Sequence, residues 1–247
     1  MFGAAAPLPL PDDEVHLWHV DPGSVRNPAI LSHYRSLLSA DERQRYARYR
    51  LEAVRHQFLV TRGLVRTLLS GYGPLEPGAW QFECNAFGRP EVMNFPGSRR
   101  LRFNLSHCDG CIVCGLAWNR DLGVDVEFID RRSGGPHLAQ RFFAPREVDD
   151  LLALPLAQQR RAFFDYWTLK EAYIKARGKG LAIPLDKFGF ILRSGQAIRM
   201  ECDAELGDVA TAWQFMQLDL SPRHRLALAV RREAECDCRL VLHPFRV

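Results

Sequence analysis

The sequence contains no uninterrupted apolar run near the ~20 residues that a membrane-spanning helix requires, so we expect no membrane span. Residues 1–14 lack a basic region, and Pro7, Pro9 and Pro11 interrupt their apolar stretch. A flexible tail is expected there and not a secretory signal. With 47% hydrophobic and 25% charged residues over 247 positions, the composition excludes a fibrous repeat and a disordered chain.

The chain also lacks the paired cysteines of a secreted framework. Its seven cysteines are an odd number and lie scattered, so reduced thiols and a cytoplasmic location are expected. Cys108, Cys111 and Cys114 have the C-x2-C-x2-C spacing of an iron–sulfur ligand run, but the fourth ligand is missing. Because residues three apart on a strand point to opposite faces, no metal site is predicted here.

Lysine is scarce in this sequence. Four of the 33 basic residues are lysines, at positions 170, 175, 179 and 187, and the other basic residues are arginines. Chance within a biased composition is one explanation. The concentration within one short stretch instead favours positions that need a compact ammonium group.

The periodicity of the chain predicts an α+β fold in which helix is followed by sheet twice. Ser39 to Glu42 form a capping-box signature, and a long helical region is expected to follow to about Ser70. Asp109-Gly110 predicts a two-residue hairpin turn. Further strands are predicted at 15–20, 101–106, 112–118, 123–127, 188–192, 213–218 and 226–230, and further helices at 145–154 and 160–177. Two related halves, 1–119 and 120–247, are therefore expected.

Asp125 and Glu127 are two residues apart on a predicted strand, so both carboxylates project from the same face. Two neighbouring carboxylates suit Mg²⁺, which binds substrate phosphates alongside one or two of them. The alternative is an exposed edge strand that carries charge. The flanking Val124, Val126 and Phe128 would anchor the strand and favour the metal site.

The predicted helix over 160–177 places Thr168, Glu171 and Lys175 on one face. A solvated Glu–Lys pair is the simpler explanation, and it would contribute only about 0.2–0.5 kcal/mol. The surrounding aromatic residues fit that explanation poorly. An acid and an ammonium group among aromatics favour a site for a metal and a phosphate.

Basic residues and one histidine add to this pattern. His107 ends a predicted strand, where it is either a structural residue or a catalyst. Residues 41–66 carry seven arginines against three acids. Most of this stripe is expected to be a solvated helix face, and a subset is able to bind a phosphate.

Several short motifs follow one another in order between about residues 39 and 190. They are Gly88-Arg89-Pro90, Phe103-Asn104-Leu105-Ser106-His107, Gly123-Val124-Asp125-Val126-Glu127, Arg141-Phe142-Phe143 with Glu147, and Trp167-Thr168-Leu169-Lys170-Glu171-Ala172-Tyr173-Ile174-Lys175 through Gly178-Lys179-Gly180-Leu181. In these motifs the chain resembles the 4′-phosphopantetheinyl transferases of the larger, Sfp (surfactin-synthetase-activating) type. The resemblance implies a pseudo-dimer of two similar α+β halves with the active site in the cleft between them.

The resemblance also implies the reaction. Coenzyme A would donate its phosphopantetheine arm to a serine of an apo acyl or peptidyl carrier protein, releasing 3′,5′-adenosine bisphosphate. Mg²⁺ would be the metal, the enzyme a monomer, and neither nucleic acid nor membrane a partner. Contacts to the carrier are expected near Leu181 and Ile183.

The implied residue roles fall into three groups. Asp125, Glu127 and Glu171 would hold Mg²⁺, while Glu171, Lys175 and His107 would be catalytic, with Glu171 as the base, directly or through a metal-bound water. Lys175, Ser106, His107 and Arg45 would contact the coenzyme A phosphates. The adenine pocket would be lined by the segment Cys84-Asn85-Ala86-Phe87-Gly88-Arg89.

Two other functions fit parts of the sequence. A Mg²⁺-dependent nuclease or phosphohydrolase also needs clustered acids and a lysine, but Glu171 and Lys175 have helical spacing and not the acid-x-Lys pattern of a nuclease strand. A non-catalytic binder of acidic partners would explain the arginines and leave Asp125 and Glu127 without a role.

Overall fold

The computed structural model describes residues 7–131, 134–233 and 236–246. The helices are α1 (Pro28–Leu37), α2 (Ala40–Arg48), α3 (Glu52–Tyr72), α4 (Pro136–Phe142), α5 (Pro145–Leu152) and α6 (Leu156–Arg177). The strands are β1 (Glu14–Val20), β2 (Phe82–Cys84), β3 (Pro90–Val92), β4 (Leu101–Cys108), β5 (Cys111–Trp118), β6 (Leu122–Phe128), β7 (Phe188–Ile191), β8 (Arg199–Cys202), β9 (Trp213–Ser221), β10 (His224–Arg231) and β11 (Arg239–Pro244). This mixture confirms the α+β prediction.

The first sheet has the strand order β11-β1-β5-β4, and its core is formed with α3. β4 and β5 form the predicted hairpin, in which Cys108 pairs with Cys111 and Gly110 has φ +71°. The second sheet has the order β6-β10-β9, and α6 packs across β6 and β10. The short pairs β2-β3 and β7-β8 lie outside these two sheets.

The two sheets share an apolar core to which β1, β5, β6 and β10 contribute. Along one border, side chains of β4 take the place of a backbone ladder. Asn104 Oδ1 accepts the backbone N–H of Val124 at 2.9 Å, and Ser106 Oγ accepts that of Val126 at 3.3 Å. These bonds satisfy backbone N–H groups at the edge of β6. The strand can therefore be buried between the sheets and is not a solvated edge.

The C-terminal strand returns to the first sheet. β11 pairs in parallel with β1, and the following Phe245 is buried in the first sheet's core. This pairing crosses the division at residue 120, and that division stays a prediction, as does the pseudo-dimeric relation of the two parts.

Helix prediction was correct for α6 and incomplete elsewhere. Gly178, in the left-handed conformation at φ +66°, ends α6 where expected, and both capping-box bonds between Ser39 and Glu42 begin α2. The single long helix expected after Ser39 is wrong, because the backbone is extended at Tyr49 and Leu51. The break brings the Tyr49 ring to 5.3 Å from Phe58, so tertiary packing overrides the helical pattern.

The flexible tail expected for residues 1–14 is also wrong where the structure describes it. Leu10 is buried, and the Leu8 N–H donates to the Gly71 carbonyl at 2.6 Å. Residues 1–6 lie outside the described part. Among the described residues, no helix has the length and hydropathy needed to cross a membrane.

Candidate active site

A cavity of about 580 Å³ lies between the first and second sheets and is lined by five of the predicted site residues. Its walls come from α3, β4, β6 and α6. The lining residues are Thr61, Arg62, Pro90, Leu105, Ser106, His107, Cys108, Asp109, Asp125, Val126, Glu127, Phe128, Arg131 and Lys175. The structure therefore brings together Ser106, His107, Asp125, Glu127 and Lys175 from three separate motifs.

Lys175 lies at the centre of this wall. Its ammonium group donates to Asp125 Oδ1 at 2.6 Å, Ser106 Oγ at 3.0 Å and the Val124 carbonyl at 3.3 Å. The Ser106 hydroxyl in turn donates to Asp125 Oδ1 at 2.9 Å. One cation thus connects α6, β6 and β4 while about a quarter of its side chain stays accessible, at 27%.

Gly123 allows α6 to approach β6 this closely. A Cβ atom at this position would lie 2.1 Å from the Ala172 carbonyl oxygen and 2.4 Å from the Ala176 backbone nitrogen. Both contacts are with the backbone of α6, so a side chain would push the whole helix away. The distance between Lys175 and Asp125 therefore depends on a glycine two residues before Asp125.

Gly123→Ala is accordingly expected to destabilise the protein by about 1–3 kcal/mol, the usual cost of overpacking a close contact. Urea unfolding would measure this loss. Gly78→Ala is the control, because Gly78 is not in the left-handed region and, among the described residues, the nearest atom to its added Cβ would be Leu37 Cδ2 at 3.7 Å, an ordinary contact distance. Equal stability of wild type and Gly123→Ala would contradict the close approach.

Glu127 shares the face of Asp125, as predicted, and both side chains are buried. Glu127 Oε1 accepts from Trp167 Nε1 at 3.1 Å and lies 3.1 Å from the Arg131 guanidinium. Burial and the charge of Asp125 raise the pKa of Glu127 to about 7. Burial and the neighbouring carboxylate thus both disfavour the ionised form of Glu127, and a bound cation would oppose both effects.

Two other predicted residues lie close to this wall. Glu171 is half-buried, and burial together with the Asp125 charge raises its pKa, although it does not line the cavity. The His107 side chain is open to solvent at the cavity, while local desolvation and the Lys175 charge lower its pKa. Thr168, expected on the same face, is fully buried and accepts a hydrogen bond from Gln217, so it lies outside the site.

The donor atoms of the wall fit a hard divalent cation. Asp125 Oδ2 is buried and has no hydrogen-bond partner among the described residues. In the same part of the chain, no three or more His, Cys, Asp or Glu side chains are grouped so that they could hold a metal ion, and this includes the predicted set of Asp125, Glu127 and Glu171. Mg²⁺ typically takes one or two carboxylates and completes its shell with substrate phosphates and water, so an incomplete protein set suits it.

Three of the residues predicted for the adenine pocket lie at a second cavity, and their role there stays a prediction. This cavity, of about 220 Å³, adjoins the first and is lined by Phe87, Gly88, Arg89, Pro90, Asn104, Leu105, Ile174, Lys175, Gly178 and Gly180. Cys84, Asn85 and Ala86, expected in the same pocket, are not among its lining residues. The Asn85 and Arg89 side chains instead donate to backbone carbonyls of α6 and the residue after it.

Arg45 lies outside both cavities. It is exposed on α2, with its guanidinium carbon 5.7 Å from the centre of the Phe58 ring. Arg62 belongs to the arginine stripe of residues 41–66, for which the sequence left a solvated helix face and a phosphate contact both open. It lines the main cavity and lies 5.2 Å from the same ring. Arg62 and Arg66 both face Glu42. Their spacing of four residues, which places them on one face of α3, is the sequence signal that could have identified Arg62.

The cysteines lie in different parts of the fold. All seven cysteines are free, Cys114 belongs to the first sheet's core, and Cys111 belongs to the core between the sheets.

The preference for compact ammonium groups fits two of the four lysines, since Lys170 and Lys175 each meet three oxygen acceptors.

Comparison with known proteins identifies the family. Residues 121–230 match the 4′-phosphopantetheinyl transferase superfamily. The chain is 35% identical over 211 residues to 4′-phosphopantetheinyl transferase HetI of Nostoc sp., covering 85% of each protein. It is 30% identical over 200 residues to a 4′-phosphopantetheinyl transferase of Bacillus subtilis, covering 81% of this chain and 85% of the relative.

A third relative, 4′-phosphopantetheinyl transferase Sfp of Bacillus subtilis, is 27% identical over 195 residues, covering 79% of this chain and 83% of its own. The crystal structure of holo-[acyl-carrier-protein] synthase from Neisseria meningitidis aligns with 46% of this chain and 98% of its own, at a TM-score of 0.36 and 19% identity. On the 35% identity to HetI across 85% of both sequences, the chain belongs to the 4′-phosphopantetheinyl transferase family.

Proposed function

We propose that the protein transfers the 4′-phosphopantetheine arm of coenzyme A to a serine hydroxyl of an apo carrier protein and releases 3′,5′-adenosine bisphosphate. Family membership supports this reaction. The observation that carries it to this chain is the cluster of Lys175, Asp125 and Ser106 on the wall of a cavity large enough for an extended substrate. Arginine-rich surfaces on α2 and α3 suit a carrier that presents acidic groups.

Magnesium is part of the proposal, with Asp125, Glu127 and Glu171 as the residues that would hold it. When bound, Mg²⁺ neutralises the pyrophosphate oxygens and so favours displacement at phosphorus. The unpartnered Oδ2 of Asp125 and the raised pKa values of Glu127 and Glu171 support this assignment.

The chain's own residues would complete the reaction. Lys175, whose side chain is 27% exposed, binds and orients a phosphate, and His107 contacts a phosphate at the cavity mouth. Glu171 accepts the proton of the attacking serine, directly or through a water molecule. Burial raises its pKa, which makes it a better proton acceptor than an exposed carboxylate.

A panel of apo acyl and peptidyl carrier proteins would test this function. Each is incubated with the protein, coenzyme A and Mg²⁺, and intact-mass spectrometry follows the gain of one phosphopantetheine. Modification of at least one carrier at its serine is expected, and omission of the enzyme is the control. Cleavage of DNA or hydrolysis of coenzyme A without transfer to any carrier would overturn the proposal.

The cation that contacts the 3′-phosphate of coenzyme A can be identified with dephospho-coenzyme A, which lacks that group. The resemblance implies Arg45 for this contact, whereas the cavity is lined by Arg62. Arg62→Met is expected to lower kcat/KM for coenzyme A about ten- to hundredfold, the range of a charge-assisted hydrogen bond, with little effect on dephospho-coenzyme A. A smaller selective loss is expected for Arg45→Met.

Arg48→Met is the control for this experiment, because Arg48 is exposed on the same helix as Arg45. The measurement is kcat/KM for both donors with each variant, a cycle between side chain and phosphate. Equal losses with both donors for Arg62→Met and Arg45→Met would show that neither arginine contacts the 3′-phosphate.

A further inference from the structure

The C-terminus of α6 is completed by groups from a distant part of the chain. The last carbonyls of a helix have no partner within it and need donors from elsewhere. Arg89 Nη1 donates to the Ala176 carbonyl at 2.7 Å, and Asn85 Nδ2 donates to the Gly178 carbonyl at 2.7 Å. Both donors lie on the loop between β2 and β3, about 90 residues earlier, with sequence separations of 87 and 93.

This loop is held rigidly by its own hydrogen bonds. Asn85 Oδ1 accepts the backbone N–H groups of Phe87 at 2.9 Å and Arg89 at 3.0 Å, and the Asn85 N–H donates to the Arg89 carbonyl at 3.0 Å. The Arg89 guanidinium also donates to Glu91 Oε1 at 2.8 Å, and its side chain is only 14% exposed. Bonds within the loop therefore fix the positions of the Asn85 and Arg89 donors independently of α6.

The Arg89 guanidinium packs directly on Gly178. A Cβ atom on Gly178 would lie 2.6 Å from its Cζ atom, so this glycine provides space as well as the left-handed conformation. A positive charge at the C-terminal end of a helix is favourable because the helix dipole is negative there. Arg89 thus combines one carbonyl partner, Ala176, with this charge interaction.

We propose that Asn85 and Arg89 are positioning residues that hold the last turn of α6, and with it Lys175, against Asp125 of β6. This inference rests on the proposed function for its catalytic consequence. Lys175 lies one residue before the capped Ala176, so movement of this turn would lengthen the 2.6 Å contact between Lys175 and Asp125. The two side chains act through α6, although Arg89 also lines the smaller cavity together with Phe87 and Gly88.

Hydrogen–deuterium exchange tests the structural part without reference to activity. In Arg89→Met, we expect faster amide exchange in peptides that cover residues 172–181 than in wild type. Arg100→Met is the matched control, because Arg100 also contacts Glu91, at 3.2 Å, and is 68% exposed away from α6. Unchanged exchange in Arg89→Met, or equal acceleration in Arg100→Met, would overturn the proposal.

Transfer kinetics test the catalytic part. Arg89→Met is expected to lower kcat about ten- to hundredfold, the range of a charge-assisted hydrogen bond, with a small change in KM for coenzyme A. Arg89→Lys should recover part of this loss, since it keeps the charge and one donor. Combined with Lys175→Met, Arg89→Met should add little further loss, because its effect passes through Lys175.

Multiplicative losses in the double variant would identify Arg89 as an independent ligand contact and overturn the positioning role. Thermal unfolding of each variant separates these outcomes from loss of the fold, and Asn85→Asp provides a second test. It keeps an acceptor for Phe87 and Arg89, removes the donor to Gly178 and adds a negative charge beside the last carbonyls of α6, so a defect of the same kind is expected. Absence of transfer by wild type would instead contradict the proposed function and leave the exchange result standing.

Discussion

Asp125→Ala is expected to lower kcat/KM for phosphopantetheine transfer by about a thousandfold, with the fold intact. Loss of a ligand to a metal that stabilises the transition state costs several kcal/mol, and each ~1.4 kcal/mol changes the rate about tenfold. The same substitution removes the 2.6 Å partner of Lys175. The orientation of the Lys175 ammonium group and the negative charge beside it both depend on the Asp125 carboxylate.

The fold should tolerate this change because the remaining groups stay satisfied. Lys175 keeps Ser106 and the Val124 carbonyl as acceptors, and its side chain reaches solvent. β6 keeps the bonds from Val124 and Val126 to β4. Circular dichroism and thermal unfolding should therefore resemble those of wild type.

Asp130→Asn is the matched control for Asp125→Ala. Asp130 follows the same strand, pairs with Arg223 at 2.6 Å and is 48% exposed. An exposed pair of this kind contributes about 0–1 kcal/mol, so turnover close to wild type is expected. Turnover of Asp125→Ala within tenfold of wild type at low Mg²⁺ would contradict the assignment of Asp125 as a metal ligand.

The elements that sequence patterns predicted correctly are those with local signals. β6 follows from alternation, the β4-β5 hairpin from Asp109-Gly110, and the end of α6 from Gly178. Each signal depends on residues close together in the chain, where side-chain period and backbone freedom decide the conformation. The Asn27-Pro28 start of α1 is a local signal of the same kind that was missed.

The parts that were not predicted depend on contacts between distant residues. The break before Glu52 follows from packing of Tyr49 on Phe58, and β11 is identified as a strand only by its pairing with β1. Asn85 and Arg89 meet α6 across about 90 residues of sequence, which no spacing rule contains. Proximity in three dimensions, and not residue type, decides these roles.

The Lys170–Glu147 ion pair is a second case in which residue type alone was insufficient. In the motif Lys170 directly precedes Glu171, and the structure buries this lysine completely. Its ammonium group donates to Glu147 at 2.7 Å, the Leu185 carbonyl at 2.7 Å and the Phe188 carbonyl at 2.5 Å. Three acceptors for three donors indicate a charged lysine, although burial lowers its pKa.

Glu147 is equally well satisfied. It accepts the backbone N–H of Phe190 at 2.9 Å and that of Ala144 at 3.0 Å, and only 1% of its surface is exposed. Burial raises its pKa, and the Lys170 charge opposes that shift. The pair thus joins α5, α6 and β7 at the residue that directly precedes Glu171 on α6.

Lys170→Met is expected to destabilise the protein by about 3–5 kcal/mol, because it leaves Glu147 buried without a counter-charge. Urea unfolding would measure the loss, with Lys187→Met as the control. Lys187 pairs with Asp203 and Glu205 at 3.3 Å on the surface, and its loss should leave the unfolding free energy equal to that of wild type within experimental error.

Glu147→Gln combined with Lys170→Met should be more stable than the sum of the two single losses predicts, by about 1–3 kcal/mol, since a neutral pair has no uncompensated charge. Additive losses, or a Lys170→Met variant as stable as wild type, would show that the two charges do not stabilise one another.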